Sequence, residues 1–401
     1  MLFKFAFRNV MRNKKRSFLT ALSIFFAALI VCFAQGWVFG LFEMLTSGMI
    51  NYQSGNVRII TEEYKNREKF LPVDEIINNS DEIIMRIERY SEVKYVEERI
   101  RFGIMLGKDE TTVFGLGIGI DFDNKTFNLK QKVIKGNIQN NGIAIGKDLA
   151  QKLGVDVGEE LLLATKTSEG GLNGIKLPVT AIITTGMKAF DKKVFFISLE
   201  NAKKLLKIRN GTTEIYIYTK QHEDSEIVQE RIKEFLPEGT IALTYKEQLG
   251  GLIEFIEIEK KIIYFIFAII IFLASFVVIN TMIKAVFERL REIGTLKAIG
   301  MTDRDMFINF TIEGSIIGAF GGVLGSLAGL LILIYLNNKG VDVSAAAEGS
   351  DIPFESIIYP PYNFSFFVVT AIFSIIIPAL SSMIPAKLTK KFTPSEMLRK
   401  I

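Results

Sequence analysis

The residues from which most catalytic and cross-linked centres are built are nearly missing. There is one cysteine, Cys32, in 401 residues, so no disulfide can close within the chain. There is one histidine, His222, and a Cys/His metal site is therefore excluded. Flanked by Gln221, Glu223 and Asp224, that histidine reads as a solvated surface residue. Phosphate and nucleophile signatures are missing too. Gly142 to Lys147 resembles a phosphate loop only superficially: Gly142 stands four residues before Gly146 rather than five, and Asp148 replaces the required Ser or Thr. The alternating Gly115, Gly117 and Gly119 do not fit the dinucleotide fingerprint, and no Gly-x-Ser-x-Gly elbow occurs. Net charge is only +4, and no nucleic-acid partner is expected. The chain is read as a non-enzyme that binds no cofactor of its own.

Apolar residues, by contrast, are abundant and clustered. They make up 49% of the chain, and the mean hydropathy is +0.29. Ser17–Phe42, Ile262–Ile283 and Gly314–Asn338 contain no charged residue, and a fourth apolar block runs over Phe364–Ile384. Each is long enough for a helix crossing a hydrocarbon core, which takes about 20 residues. The first block is too long for a cleaved signal, whose apolar region is about 7–15 residues, and Val31 before Cys32 argues against a lipoprotein signal.

Basic residues set the orientation. Lys4, Arg8, Arg12, Lys14, Lys15 and Arg16 precede the first block. Lys284, Arg289, Arg291, Lys297 and Arg304 follow the second, and Lys387, Lys390, Lys391, Arg399 and Lys400 follow the fourth. Both termini and the middle loop are thus expected in the cytoplasm, with the long segment between the first two blocks outside. The expected plan is an interfacial amphipathic helix over 1–16, spans over 17–45, 259–284, 305–337 and 363–386, and an extracytoplasmic α+β domain over 46–258. A cytoplasmic loop over 285–304, an outer loop over 338–362 and a cytoplasmic tail over 387–401 complete it.

In the outer domain, β-branched runs predict strands at Asn56–Ile60, Thr112–Ile120, Glu160–Thr165, Leu177–Thr184, Val194–Ser198 and Glu214–Thr219. Helices are predicted at Asp74–Tyr90, Lys147–Leu153, Glu200–Lys207 and Asp224–Phe235. Thr165–Lys176, with Gly170, Gly171 and Gly174, reads as a flexible loop and candidate contact arm. In the third span Gly314, Gly318 and Gly322 interleave with Gly321, Gly325 and Gly329. Such ladders let backbones approach closely, here against partners within the chain or in a second subunit. Glu313, taken as one turn or less inside that helix, is either functional or an interface acid paired with a nearby Lys or Arg.

The middle loop is the most informative stretch: Glu288, Arg289, Leu290, Arg291, Glu292, Ile293, Gly294, Thr295, Leu296, Lys297, Ala298, Ile299 and Gly300. Val286, Phe287, Leu290, Ile293 and Leu296 form an apolar stripe, Gly300 is a helix stop, and Thr302 with Asp305 caps the next helix. This string resembles the signature of the FtsX/MacB-like superfamily of ABC transporter permeases. The basic opening Arg8–Ser17, Glu313 before the glycine-rich helix, and the tail Pro385-Ala386-Lys387 with Pro394–Arg399 resemble it too. So does Ile143–Gly146 continuing through Leu149, Ala150, Leu153, Gly154, Val155, Val157 and Gly158.

The resemblance implies a four-helix membrane fold, N-in and C-in, with a MacB-like periplasmic core domain between the first two spans. It implies paired permeases, identical or paralogous, seated on a dimer of separate ATPase subunits that hold the ATP and Mg. The short helix would be the ATPase-coupling element, its apolar stripe packed on the ATPase and Arg289, Arg291, Glu292 and Lys297 fixing register. Length and layout are most similar to the lipoprotein-releasing (Lol-type) group, which implies an inner-membrane location, a lipoprotein substrate and a periplasmic carrier. Phe33, Trp37, Phe39 and Phe42 would contact acyl chains or simply lipid. Export of a peptide, antibiotic or other amphiphile, and non-transporting regulation of a periplasmic partner, are the alternatives.

Overall fold

The structure, a computed structural model, describes residues 2–123, 125–185, 188–343 and 357–388. Part of the expected outer loop (344–356) and most of the expected tail (389–401), including Pro394–Arg399, lie outside the described residues. The chain divides into two compact units. One comprises Met1–Phe42, Ile256–Val341 and Ile358–Ile401; the other comprises Glu43–Phe255 and Asp342–Ile357.

Two helices open the chain, α1 (Leu2–Arg12) and α2 (Lys14–Met49). The mixed unit then follows the order β1 (Val57–Thr61), α3 (Glu62–Asn66), α4 (Ser80–Ile87), β2 (Val93–Lys108), β3 (Thr111–Ile120), β4 (Val133–Gly136), β5 (Ile143–Gly146), α5 (Lys147–Leu153) and β6 (Glu160–Lys166). It continues with β7 (Leu172–Ile183), α6 (Lys188–Asp191), β8 (Val194–Ser198), α7 (Leu199–Leu206), β9 (Glu214–Thr219), α8 (Ser225–Lys233), β10 (Thr240–Thr244) and α9 (Tyr245–Gln248). The strands run β10-β1-β9-β2-β3-β8-β5-β7-β4, with β6 pairing β2 and β7.

Strand β2 joins two halves of this sheet. Its first half pairs β9, Val93–Arg99 against Thr219–Glu214; its second half pairs β3, from Ile100 opposite Gly119 to Lys108 opposite Thr111. Each half has its own core. Val57, Ile59, Ile83, Ile87, Ile215, Ile217, Val228 and Ile232 fill one, and Ile100, Phe102, Ile104, Leu106, Ile145, Leu149, Leu163 and Phe195 fill the other.

Several expectations are corrected here. Thr165–Lys176 is not a loop but the end of a β6–β7 hairpin, with Leu162 opposite Lys176 and Lys166 opposite Leu172; only the short Thr167–Gly171 turn is free of strand. The predicted helix over Asp74–Tyr90 shrinks to α4, because Asn79 takes φ +53 and Ile77 bridges Thr212. The long β2 was not predicted at all.

The remaining helices among the described residues are α10 (Gly250–Glu288), α11 (Leu290–Ala298), α12 (Asp303–Lys339) and α13 (Phe364–Leu388). Among the described residues, four helical stretches are long and apolar enough to cross a membrane: Lys14–Ser54, Gly250–Glu288, Asp303–Lys339 and Phe364–Lys387. The first two overrun the expected spans by several turns, because polar flanks continue the helix without a break. The predicted cap of α12 is present, the Thr302 hydroxyl accepting from Asp305 N while the Asp305 carboxylate accepts from Thr302 N.

The two glycine ladders face two different helices, both in this chain. A Cβ at Gly321 would strike the Ala21 carbonyl, at Gly325 the Phe25 carbonyl, and at Gly329 the Leu29 carbonyl, so this row seats α2. A Cβ at Gly314 would meet Pro378 O at 2.7 Å, at Gly318 Ser374 O, and at Gly322 the Ser374 side chain, so that row seats α13. Backbones this close gain dispersion contact that larger residues would forbid. Gly322→Leu and Gly325→Leu are therefore each expected to destabilise the detergent-solubilised chain by ~1–3 kcal/mol or more. The half-exposed Ile332→Leu on the same helix should leave the thermal midpoint unchanged. Unaltered midpoints in both glycine variants would show that this close packing does not hold the bundle.

Candidate functional site

The middle-loop string folds as expected into a separate short helix, α11, set off from α10 by Arg289 with φ −108 and ended by Gly300 with φ +103. Its faces are arranged differently from the expectation. Val286, Leu290 and Ile293 are buried among Ala6 and Val10 of α1 and Met306 and Phe310 of α12, and Gly294 is buried with them. Three of the five residues of the apolar stripe are thus taken up by the chain's own core. The reason is the amphipathic α1, which supplies the opposing apolar face. Phe287 remains 49% exposed, and Leu296 is half-buried. The outward surface consists of Arg291, Glu292, Thr295, Ala298 and Ile299, the last 76% exposed.

Arg289 and Lys297 also turn inward. Lys297 pairs with Asp303 at 2.8 Å. Arg289, nearly fully buried, lies 3.4 Å from both carboxylate oxygens of Glu313 and donates to the Asn9 carbonyl at 3.1 Å. With the Asn13 amide oxygen turned toward it, Asn13 accepts from Arg289 Nε at 3.1 Å. Glu313 has no exposed surface and sits ten residues past Asp303, which is about three turns into α12 rather than one. Arg16 of α2 reaches the same carboxylate at 3.5 Å and Glu288 at 3.1 Å, and Arg12 of α1 pairs with Glu292. One buried carboxylate therefore ties together α1, α2, the α10–α11 junction and α12. Removing one member of such a set leaves an uncompensated buried charge.

The four aromatic residues singled out on α2 do not form one surface. Phe33 and Trp37, one turn apart, stack at 6.1 Å. Phe39 lies on the opposite side of the helix, 5.9 Å from Tyr264 and 5.4 Å from Phe366. Lys260 sits over Phe39 and Phe42 at about 6 Å.

In the mixed unit, charge is again concentrated where it is least solvated. A π-helical stretch, Ile50–Ser54, continues from Met49 and ends at Gly55. Its terminal carbonyls, which have no partner inside a helix, are taken by side chains of β2, β9 and α9. Arg99, fully buried, lies 3.3 Å from the Asn51 carbonyl, Tyr218 donates to Asn51 O at 3.1 Å, Tyr216 lies 3.1 Å from Gln53 O, and Gln248 donates to Ser54 O at 3.2 Å. A guanidinium is favoured there by the negative end of the helix dipole, and the Tyr216 ring 4.0 Å away adds a cation–π contact.

Beside it the buried Glu214 accepts from Arg101 Nε and Nη2 at 2.8 Å, from Arg58 at 3.2 Å and from Tyr64 at 2.7 Å. His222 is likewise not the solvated residue expected. Its Nδ1 is 2.7 Å from Asn56 Nδ2, its ring lies 5.9 Å from Tyr245, and its Nε2 is 3.6 Å from Glu43. The sequence cue was Asn56, directly after Gly55, a residue type that commonly bonds side chain to backbone at a turn.

Burial alone would raise the Glu214 carboxyl, but Arg101 and Arg58 override it, and the group is held down to about 2. An ordinary carboxyl titrates near ~4.3. The lowered value means that the unfolded chain binds a proton more readily than the folded one. This stabilisation is complete above about pH 4.3 and is lost as the pH falls toward 2. Urea unfolding of the full chain should therefore show an acid-dependent loss of stability that is smaller in Glu214→Gln. Identical pH dependence in the two proteins would contradict this assignment.

Comparison with known proteins agrees with both halves of this picture. Residues 17–235 match the MacB-like periplasmic core domain, and residues 264–394 match the FtsX-like permease C-terminal family. The LolC lipoprotein-releasing transmembrane protein of Xylella fastidiosa is 21% identical, over 76% of this chain and 76% of its own. The LolC of Buchnera aphidicola is 25% identical, over 80% of this chain and 83% of its own. The macrolide export protein MacB of Bordetella avium is 33% identical, over 30% of this chain and 16% of its own. Among solved structures, the periplasmic region of MacB from Actinobacillus actinomycetemcomitans aligns at 10% identity and a TM-score of 0.36, over 51% of this chain and 95% of that one. The chain belongs to the FtsX/MacB-like superfamily of ABC transporter permeases.

Proposed function

We propose that this permease releases lipoproteins from the membrane, driven by ATP hydrolysis on a separate ATPase subunit. The observation that carries the reading is the extent of the match to LolC proteins, which covers three quarters or more of both chains in two bacteria. In this reading both termini and α11 face the cytoplasm, and the mixed unit faces the periplasm. The ATPase would contact the outward set Arg291, Glu292, Thr295, Ala298 and Ile299. A push on α11 would be delivered through Arg289 to Glu313 and hence to α2 and α12, because the shared carboxylate cannot lose either arginine without stranding a buried charge. The chain itself has no step of bond chemistry in this scheme. A second permease, identical or paralogous, and a periplasmic carrier complete it.

Export of an amphiphilic antibiotic is a second reading, favoured by the 33% identity to a macrolide exporter over 121 residues.

Depletion of the protein in its native cell, followed by separation of inner and outer membranes, distinguishes the two. Lipoprotein release predicts that outer-membrane lipoproteins accumulate in the inner membrane. Normal lipoprotein sorting together with heightened macrolide sensitivity would replace the first reading by the second.

A further inference from the structure

The cytoplasmic-side ends of α2 and α10, as oriented above, enclose a cleft of about 780 Å³. Its rim carries Arg12, Lys14, Lys15, Arg16 and Lys284 against a single acid, Glu288. Two of these cations are already engaged, Arg12 with Glu292 and Arg16 with Glu288 and Glu313. Lys14, Lys15 and Lys284 have no anionic partner among the described residues. They are exposed and contributed by two facing helices, so an anion between them would neutralise charge on both.

Deeper in the cleft the character changes. Leu19, 62% exposed, and Val277, 41% exposed, form an apolar wall beside Thr20, Ser23, Asn280 and Thr281. A charged rim over an apolar wall, at the ends of two membrane-length helices, has the shape and polarity of an amphiphile with an anionic head. Basic pockets between membrane helices recognise lipid phosphates in this way.

We propose that this cleft is a binding site for one anionic phospholipid, its phosphate held by Lys14, Lys15 and Lys284 and an acyl chain lying along Leu19 and Val277. Rim lysines of this kind also serve as ordinary topogenic flank; the facing pair of helices and the apolar wall are what distinguish a site from a flank. The inference goes beyond the cargo. It rests only on α2 and α10 crossing a membrane, so a failure of the lipoprotein reading leaves it standing.

The test uses the full-length chain in nanodiscs containing spin-labelled phosphatidylglycerol or phosphatidylcholine, and reads the motionally restricted lipid fraction. The site predicts a preference for phosphatidylglycerol that falls roughly tenfold or more when Lys14, Lys15 and Lys284 are all changed to Gln. Lys4→Gln with Arg8→Gln, cations of α1 outside the cleft, should leave it intact. Three results overturn the proposal. An equal loss in the α1 variant would mean a diffuse basic surface. Displacement of the lipid by millimolar inorganic phosphate would mean a free-anion site. An unchanged preference in the triple variant, with loss of chain–chain cross-linking between copies carrying Thr281→Cys, would mean that the cleft is filled by a second copy.

Discussion

A carboxylate that cannot reach water must be held by cations brought to it, and the helical unit is organised around one such set. Glu313 has no exposed surface, and the two arginines that approach it, Arg16 and Arg289, come from distant parts of the sequence. Desolvating such a group is costly enough that all three must remain together or none can stay buried. The consequence is geometric. Arg289 sits at the junction of α10 and α11, so the position of the short helix is set by an acid three turns inside α12. The apolar residues of α11 reinforce this by joining the core formed with α1, and the two glycine rows of α12 place α2 and α13 at backbone contact distance.

The mixed unit solves a related problem at the other end of α2. A helix that stops inside a folded domain leaves its last carbonyls without partners. Here Arg99, Tyr216, Tyr218 and Gln248 supply them. Of these, Tyr216 also joins the network around Glu214, its hydroxyl lying 2.8 Å from the carboxylate.

The sequence disclosed the elements whose apolar residues follow one period. Val194–Ser198, Glu214–Thr219 and Lys147–Leu153 form where β-branched alternation or helical spacing placed them, and the four apolar blocks form long helices. The pattern is obscured where charge is buried: Glu97, Glu98, Arg99 and Arg101 interrupt the apolar alternation of the first half of β2, while Ile100, Phe102, Ile104 and Leu106 alternate regularly after Arg99. The composition of α11 identifies the helix, but the surface that covers Leu290 and Ile293 belongs in part to α1, some 280 residues away in sequence, as the Arg12–Glu292 pair shows. For Glu313 the sequence left open a functional acid or one paired with a nearby Lys or Arg; the structure pairs it with Arg289 and Arg16, about three turns into α12.

The central claim is that the buried Glu313 carboxylate holds α11 to the bundle. Hydrogen exchange of the α11 amides, Leu290–Ala298, tests it without any partner protein. In Glu313→Gln, which keeps the shape and removes the charge, exchange across α11 should accelerate by about tenfold or more, while the glycine-rich part of α12 keeps its protection. Unchanged protection of α11 in that variant would show that apolar packing alone positions the short helix, and would contradict the account.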